Sequence, residues 1–231
     1  MSVQLWGKRE RDVQHFVGVD LGQRECFTAV AVVERSQERE LAKDWITYEE
    51  LWIPDPPKFA VRHLERIRLG TSYVEVVQRI RSLMLRDELR GRSRLVVDAT
   101  GVGGPVVDLF RKEGLPCDLM PVLSTSGREE SSGKGVWSAP RQDLVQGLRV
   151  MLEQGKLEIS SRLPEAQRLV EELVSFDRGQ GTHDDLVSAL AMATWAARRE
   201  KEVEPRKTSQ QLQAEADIGA MIYGLTTRSR R

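Results

Sequence analysis

The segment "GTHDDLVSALAMATWAARR", residues 181–199, constrains the fold more than any other stretch. Its interior is almost wholly small and apolar, which predicts a helix over 184–199 packed closely against other structure. That helix begins with two adjacent carboxylates, Asp184 and Asp185, preceded by His183. Side-by-side carboxylates repel each other, and their position beside a buried segment calls for a cation there.

The rest of the sequence says what this helix packs on. "HFVGVDLG" and "CFTAVAVVER" read as two β-strands joined by a short polar turn at residues 23–25, and "AKDWITYEELWI" reads as a third, antiparallel strand. "PDPPK" interrupts regular structure, because proline removes a donor and restricts the residue before it. From Ser72 to Leu89, Val76, Val77, Ile80, Leu83, Met84 and Leu85 recur at helical spacing, with arginines and acids opposite. "RSRLVVDATGVGGPVVDLFRKEGL" gives a buried strand, a glycine-rich turn, a helix starting near Pro105 and a stop at Gly114. "PCDLMPVL" follows as a strand parallel to the previous one, by the right-handed crossover rule. "STSGREESSGKGVWSAP" is polar and glycine-rich and reads as a mobile loop, and further helices are expected over 142–153 and 164–176. The fold class is therefore α/β: a three-strand antiparallel meander plus two parallel strands, flanked by helices. The expected organisation is an N-terminal extension over 1–14, one domain over 15–199, and a linker with a polar tail over 200–231.

Composition removes several classes of function. The 231 residues suit one domain with appendages. No run approaches the roughly 18 consecutive apolar residues of a membrane span, and the N-terminus lacks the apolar run of a secretory signal, so a cytosolic location with no membrane partner is expected. Cys26 and Cys117 are the only cysteines, with no zinc-like spacing to histidines. The 35 basic and 35 acidic residues balance, so attraction to polyanions must come from a local face.

The acids fall at telling places. Asp20 ends the strand "FVGVD" and Asp98 ends "RLVVD". Polar sites in such sheets gather at the carboxyl ends of parallel strands. If these strands are neighbours the two carboxylates meet, and a helix arriving with Asp184 and Asp185 completes a cluster of three or four. Oxygen-only ligands select magnesium or manganese. Two such ions about 4 Å apart activate a water and stabilise a leaving oxygen in phosphodiester hydrolysis. Singly, an Asp at a strand end is a turn former and an Asp at a helix start is a cap; it is their conjunction that points to a site. His183 is open between a residue before the cap, an orienter of the acids and a proton shuttle.

The ordered set "VGVDLG", "RHLERIRLGTSYVEVVQRI", "LVVDATGVGGPVVDLF", "RQDLVQGLRVMLEQGKLEI" and "HDDLVSALAMA" resembles the nuclease domain of phage large terminase subunits and their prophage relatives, over about residues 15–197. The resemblance implies a ribonuclease H-like fold and an acidic cluster that uses Mg2+ or Mn2+ to cut double-stranded DNA in the bacterial host cell during packaging. It assigns the metal-binding and catalytic positions to Asp20, Asp98, Asp184 and Asp185. Asp20 would bridge two metals, Asp98 would hold one, and Asp184 or Asp185, with Asp184 favoured, the other. His183 and Arg141 would orient acids or phosphate from behind the ligands, and the loop carrying Arg128, Lys134 and Trp137 would supply phosphate contacts. Many relatives have lysine where this chain has Arg141, and many carry a third acid where it has Ser188.

Full terminases precede the nuclease with an ATPase, and "SSGKGVW" is not a P-loop. The expectation is a separate nuclease that meets an ATPase or a portal-type partner in trans, or a domain of a longer subunit. Other readings are a structure-selective resolvase of the same fold, and a noncatalytic packaging adaptor. "VGVDLG" and "LVVDATGVGG" also resemble phosphate segments of the sugar-kinase and heat-shock ATPase fold, but the chain is too short for its second lobe.

Overall fold

The computed structural model describes residues 3–22, 26–44, 50–101, 103–127, 129–133, 135–177 and 184–200. They divide into two units, the larger made of Val13–Ser36 and Pro57–Glu200, the smaller drawn from 3–12 and 37–56. Strands β1 (Val3–Asp20) and β2 (Thr28–Asp44) contribute residues to both.

In the larger unit, the apolar runs "FVGV" and "RLVV" place β1 and β5 (Ser93–Asp98) at the centre, parallel and in register from His15↔Ser93 to Val19↔Val97. Both are apolar on both faces, as befits parallel strands covered on each side. β5 leads through α2 (Gly103–Lys112) to β6 (Asp118–Thr125), parallel as the crossover rule requires. On the other side of β1 come β2 and then β4 (Lys58–Ile67), antiparallel to β2. With β7 (Ser131–Gly133), β8 (Val136–Pro140) and β9 (Leu157–Ile159) the strand order is β7-β8-β6-β5-β1-β2-β4-β9.

Alternate side chains divide the core between the two faces. Val17, Val19, Val30, Val32, Leu95 and Val97 face α1 (Tyr73–Met84) and α2. Phe16, Ala29, Ala31, Val96 and Val122 face α3 (Arg141–Glu153), α4 (Ala166–Asp177) and α5 (Asp185–Arg199). α5 is buried along almost its whole length, from Asp185 through Ala197 except Ser188. Gly18 sets how closely it approaches: a Cβ at this position of β1 would lie 2.0 Å from the Ala189 carbonyl oxygen and 2.9 Å from the Ala193 nitrogen. The small residues of the helix and the glycine of the strand are two halves of one contact.

In the smaller unit, β3 (Glu50–Pro54) pairs antiparallel with β2 from Arg39↔Pro54 to Lys43↔Glu50. Trp52 is buried there with Lys8 and Arg39 over its ring, at 5.5 and 5.3 Å from the centroid.

Several expectations need correction. The third strand beside β2 in the larger unit is β4, which starts just after the prolines; of "AKDWITYEELWI", residues 42–44 end β2, 50–53 belong to β3, and 45–49 lie outside the described residues. The helix expected over 72–89 ends at Met84; Leu89 still reaches the core, but through a series of turns. The segment expected to be a mobile loop contains a hairpin, β7–β8, whose second strand also pairs in parallel with β6. Its anchors are Ala139, fully buried, and Trp137, whose ring meets Trp195 edge-on at 5.9 Å. The described part of the expected N-terminal extension is strand from Val3 onward. The tail over 201–231 lies outside the described residues. Among the described residues no helix is long and apolar enough to cross a membrane.

Gly18→Ala forces α5 off the sheet or bends β1, because the added atom runs into the backbone of α5 at Ala189 and Ala193. The loss should exceed the roughly 1–3 kcal/mol usual for an overpacked core, read as a lower urea midpoint at unchanged slope.

Candidate functional site

The register that ends at Val19↔Val97 continues to Asp20 and Asp98, the last residues of two adjacent parallel strands. Both side chains therefore emerge at the carboxyl edge of the sheet. Asp98 Oδ1 accepts a hydrogen bond from the Thr100 amide at 2.7 Å, and Thr100 Oγ1 accepts one from the Ser124 amide at 2.7 Å. The Asp-Ala-Thr-Gly turn thus ties the end of β5 to the end of β6, with Gly101 at φ +78° completing the reversal.

α5 brings its own acids to the same edge. Asp185, its first residue, is buried; its Oδ2 accepts from the Phe27 amide at 3.3 Å and lies 3.7 Å from the Arg66 guanidinium. Arg66 stacks over the Phe27 ring, 3.7 Å from its centroid. Asp184 stands at the N-cap position but makes no side-chain cap bond, and pairs instead with Arg141, the first residue of α3.

Electrostatics couple the four acids. Burial first, and then the neighbouring charges of Asp98, Asp185 and Asp184, push the Asp20 carboxyl up to about 8, against the opposing pull of Arg141. Burial alone would lower the Arg141 guanidinium, but its bond to Asp184 and the fields of Asp184, Asp20 and Asp98 outweigh that and hold it above its ordinary value. The structure thus brings together Asp20, Asp98, Asp184, Asp185 and Arg141. His183, Lys134 and Arg128 lie outside the described residues. Trp137 is held against Trp195 and under the Arg199 guanidinium, an anchor of the hairpin.

Two further residues belong to this neighbourhood: Arg66 of β4, and Glu172 of α4, which is buried and accepts hydrogen bonds from the Leu186 and Val187 amides at 2.8 and 3.3 Å. Burial pushes the Glu172 carboxyl up to about 7, with Asp185 adding to the rise while the two amides and Arg66 oppose it. No local pattern marks either residue, since their partners are distant in sequence.

Among the described residues no three Asp, Glu, His or Cys side chains converge into a ready metal-binding group. Asp184 and Asp185 are turned toward arginines. The donor chemistry nevertheless fits a hard dication: the set is carboxylate oxygen alone, and burial together with the repulsion among these acids raises the Asp20 carboxyl, a cost that a bound cation would relieve. Beside the acids, Asp98, Thr100, Ser124, Thr125, Arg141 and Gln142 line a cleft of about 330 Å³.

The displaced Asp20 proton has a consequence for stability. Its folded value lies above the ordinary 3.8, so below pH 4 the native state is at no disadvantage, and between about pH 4 and 8 ionisation of this group costs progressively more native stability. Without added metal, Asp20→Asn should therefore stabilise the protein increasingly from pH 4 to pH 8 relative to the parent, as measured by urea denaturation across that range.

The family model for the terminase RNase H-like domain matches residues 82–197, from the end of α1 to α5. A solved structure, the large terminase nuclease from thermophilic phage G20c, superposes with a TM-score of 0.50 at 20% identity, covering 80% of this chain and 82% of that one. Comparison with curated proteins finds no significant match. The match takes in Asp98 at the end of β5 and Asp184 and Asp185 at the start of α5, and the chain belongs to the terminase RNase H-like domain family.

Proposed function

We propose that this protein is a divalent-metal-dependent DNA endonuclease acting in phage or prophage DNA processing and packaging. The observation that carries the reading is the placement of Asp20 and Asp98 at the carboxyl ends of adjacent parallel strands with Asp184 and Asp185 at the start of α5, near enough that their charges add to burial in raising the Asp20 carboxyl. A cluster so loaded with like charge, on a chain of this family and fold, supports a role in holding cations.

Asp20 and Asp98, with Asp184 or Asp185, would hold Mg2+ or Mn2+. Bound there, the metal supplies charge neutralisation at the scissile phosphate and lowers the pKa of a water. The chain's own groups do the rest. Arg141 presents a half-exposed guanidinium at the mouth of a cleft lined with hydroxyl and amide groups, a lining suited to phosphate oxygens. The Thr100 amide donates to the Asp98 carboxylate while the Thr100 hydroxyl accepts from the Ser124 amide, which holds that carboxylate at the end of β6. Arg66, buried on Phe27, holds Asp185 in place. Contacts of this kind engage the DNA backbone, so cutting should be largely sequence-independent and should weaken with salt. Double-stranded DNA is the proposed substrate, and an ATPase or portal-type protein the proposed partner in packaging.

The test is cleavage of supercoiled and linear plasmid at low salt with Mg2+, Mn2+ or EDTA. The parent should cut with metal alone, and Asp20→Asn should lower the rate by at least about 10²-fold. Cutting at the parental rate by the folded variant would overturn the site. Preference for branched over linear DNA would move the assignment to a resolvase, and DNA binding without cleavage under any metal would move it to an adaptor.

A further inference from the structure

Helix α5 has an unusual start. Its N-cap residue, Asp184, is of the type that most often accepts a hydrogen bond from the first-turn amides, yet it makes no such bond. Those amides are satisfied from another helix: Glu172 Oε2, on α4, takes both the Leu186 and the Val187 N–H. Glu172 is 4% exposed, in the middle of a helix whose neighbouring residues Val170 and Val174 face outward. A carboxylate is costly to bury, and a residue whose only task was to fill this space would be apolar. Its second oxygen, Oε1, is buried with no hydrogen-bond partner among the described residues. All of the hydrogen bonding it does is directed at the start of α5.

We propose that Glu172 is a positioning residue: by capping α5 from α4, it relieves Asp184 of the capping role and leaves the Asp184 carboxylate directed at Arg141 and the acidic edge. An aspartate cannot both fold back onto the first-turn amides and reach out to the edge of the sheet. Two adjacent acids at a helix start would ordinarily be drawn toward the orphan N–H groups and the positive end of the helix. With Leu186 and Val187 already satisfied, that pull is spent on Glu172. Arg66, near both Glu172 and Asp185, compensates the charge brought in by the added carboxylate. The inference rests on the proposed metal role of Asp184 only in its functional consequence; the exchange of caps is a matter of geometry.

Two measurements separate these parts. The first is a double-mutant cycle without metal, on the full chain, using Asp184→Ala, Glu172→Ala and the pair. In the parent, Asp184 does no capping, so Asp184→Ala should shift the melting temperature little. In the Glu172→Ala background Asp184 takes over the cap, and its removal should lower the melting temperature by about 2–4 °C more than in the parent. An equal shift in both backgrounds overturns the proposal. If Glu172→Ala does not fold, Glu172→Met, of similar length and without an acceptor oxygen, should show a coupling of the same sign, and no coupling there likewise overturns it.

The second measurement is Mn2+ binding by calorimetry. Glu172→Ala should weaken it by about 10-fold or more, the usual effect of removing a group that orients a ligand, and Glu172→Gln should restore part of the loss. Unchanged affinity in Glu172→Ala overturns the positioning role. A parent that binds no Mn2+ counts against the metal reading, while the cycle still decides the capping.

Discussion

The seat of α5 on β1 is the contact on which the other features depend. Gly18 leaves no side chain between the strand and the Ala189 carbonyl, and the helix answers with alanines where it meets the sheet. Close approach of this kind brings the helix start within electrostatic range of a carboxylate on the strand beneath it. Asp20 lies two residues beyond Gly18, so the same strand that admits the helix also carries an acid that feels the helix's charges. Packing and electrostatics are fixed by a single geometric choice, in which burial gained along twelve residues of α5 offsets the cost of crowding carboxylates at its end.

The parts of this arrangement that were legible in sequence are those with a local signature. Asp20 and Asp98 end apolar runs, so their emergence at a sheet edge follows from strand periodicity and crossover handedness alone. Asp184 and Asp185 open a helix whose composition announces deep burial. Arg141 is singled out by the family resemblance, and it pairs with Asp184. Glu172 and Arg66 carry no such mark. Glu172 is one acid among several on an amphipathic helix, and only the docking of α4 beside α5 turns it into a cap.

The misread elements have physical causes as well. β4 follows a proline cluster and carries Arg62, His63, Glu65 and Arg66 close together, so its alternation is hard to see. The alternation is also broken by an irregularity: Val32 pairs with His63 while Val33 pairs with Val61, leaving Arg62 as an extra residue in the strand. β7 and β8 look like loop because most of their residues are small and polar. What holds them is remote: Trp195 of α5 meets Trp137, while Glu130 just before the hairpin accepts from the Trp195 indole N–H at 2.8 Å. Single-segment periodicity registers neither contact.

The two arginines beside the acid pair differ in a way that bears on how the cluster is tolerated. The Arg66 side chain is 11% exposed, stacked on Phe27, and adjoins Asp185, whose side chain is 7% exposed. A charge pair this buried is costly to break, since removing one partner strands the other away from water. The Arg141 side chain is 50% exposed and its partner Asp184 20% exposed. A pair in that setting contributes little net stability and can exchange partners at little cost. Asp185 is therefore tied into the framework of the sheet, whereas Asp184 and Arg141 can separate without unfolding anything. Of the two acids at the head of α5, Asp184 is the one whose present partner is replaceable, so under the proposed function it is favoured over Asp185 as the direct ligand of a cation.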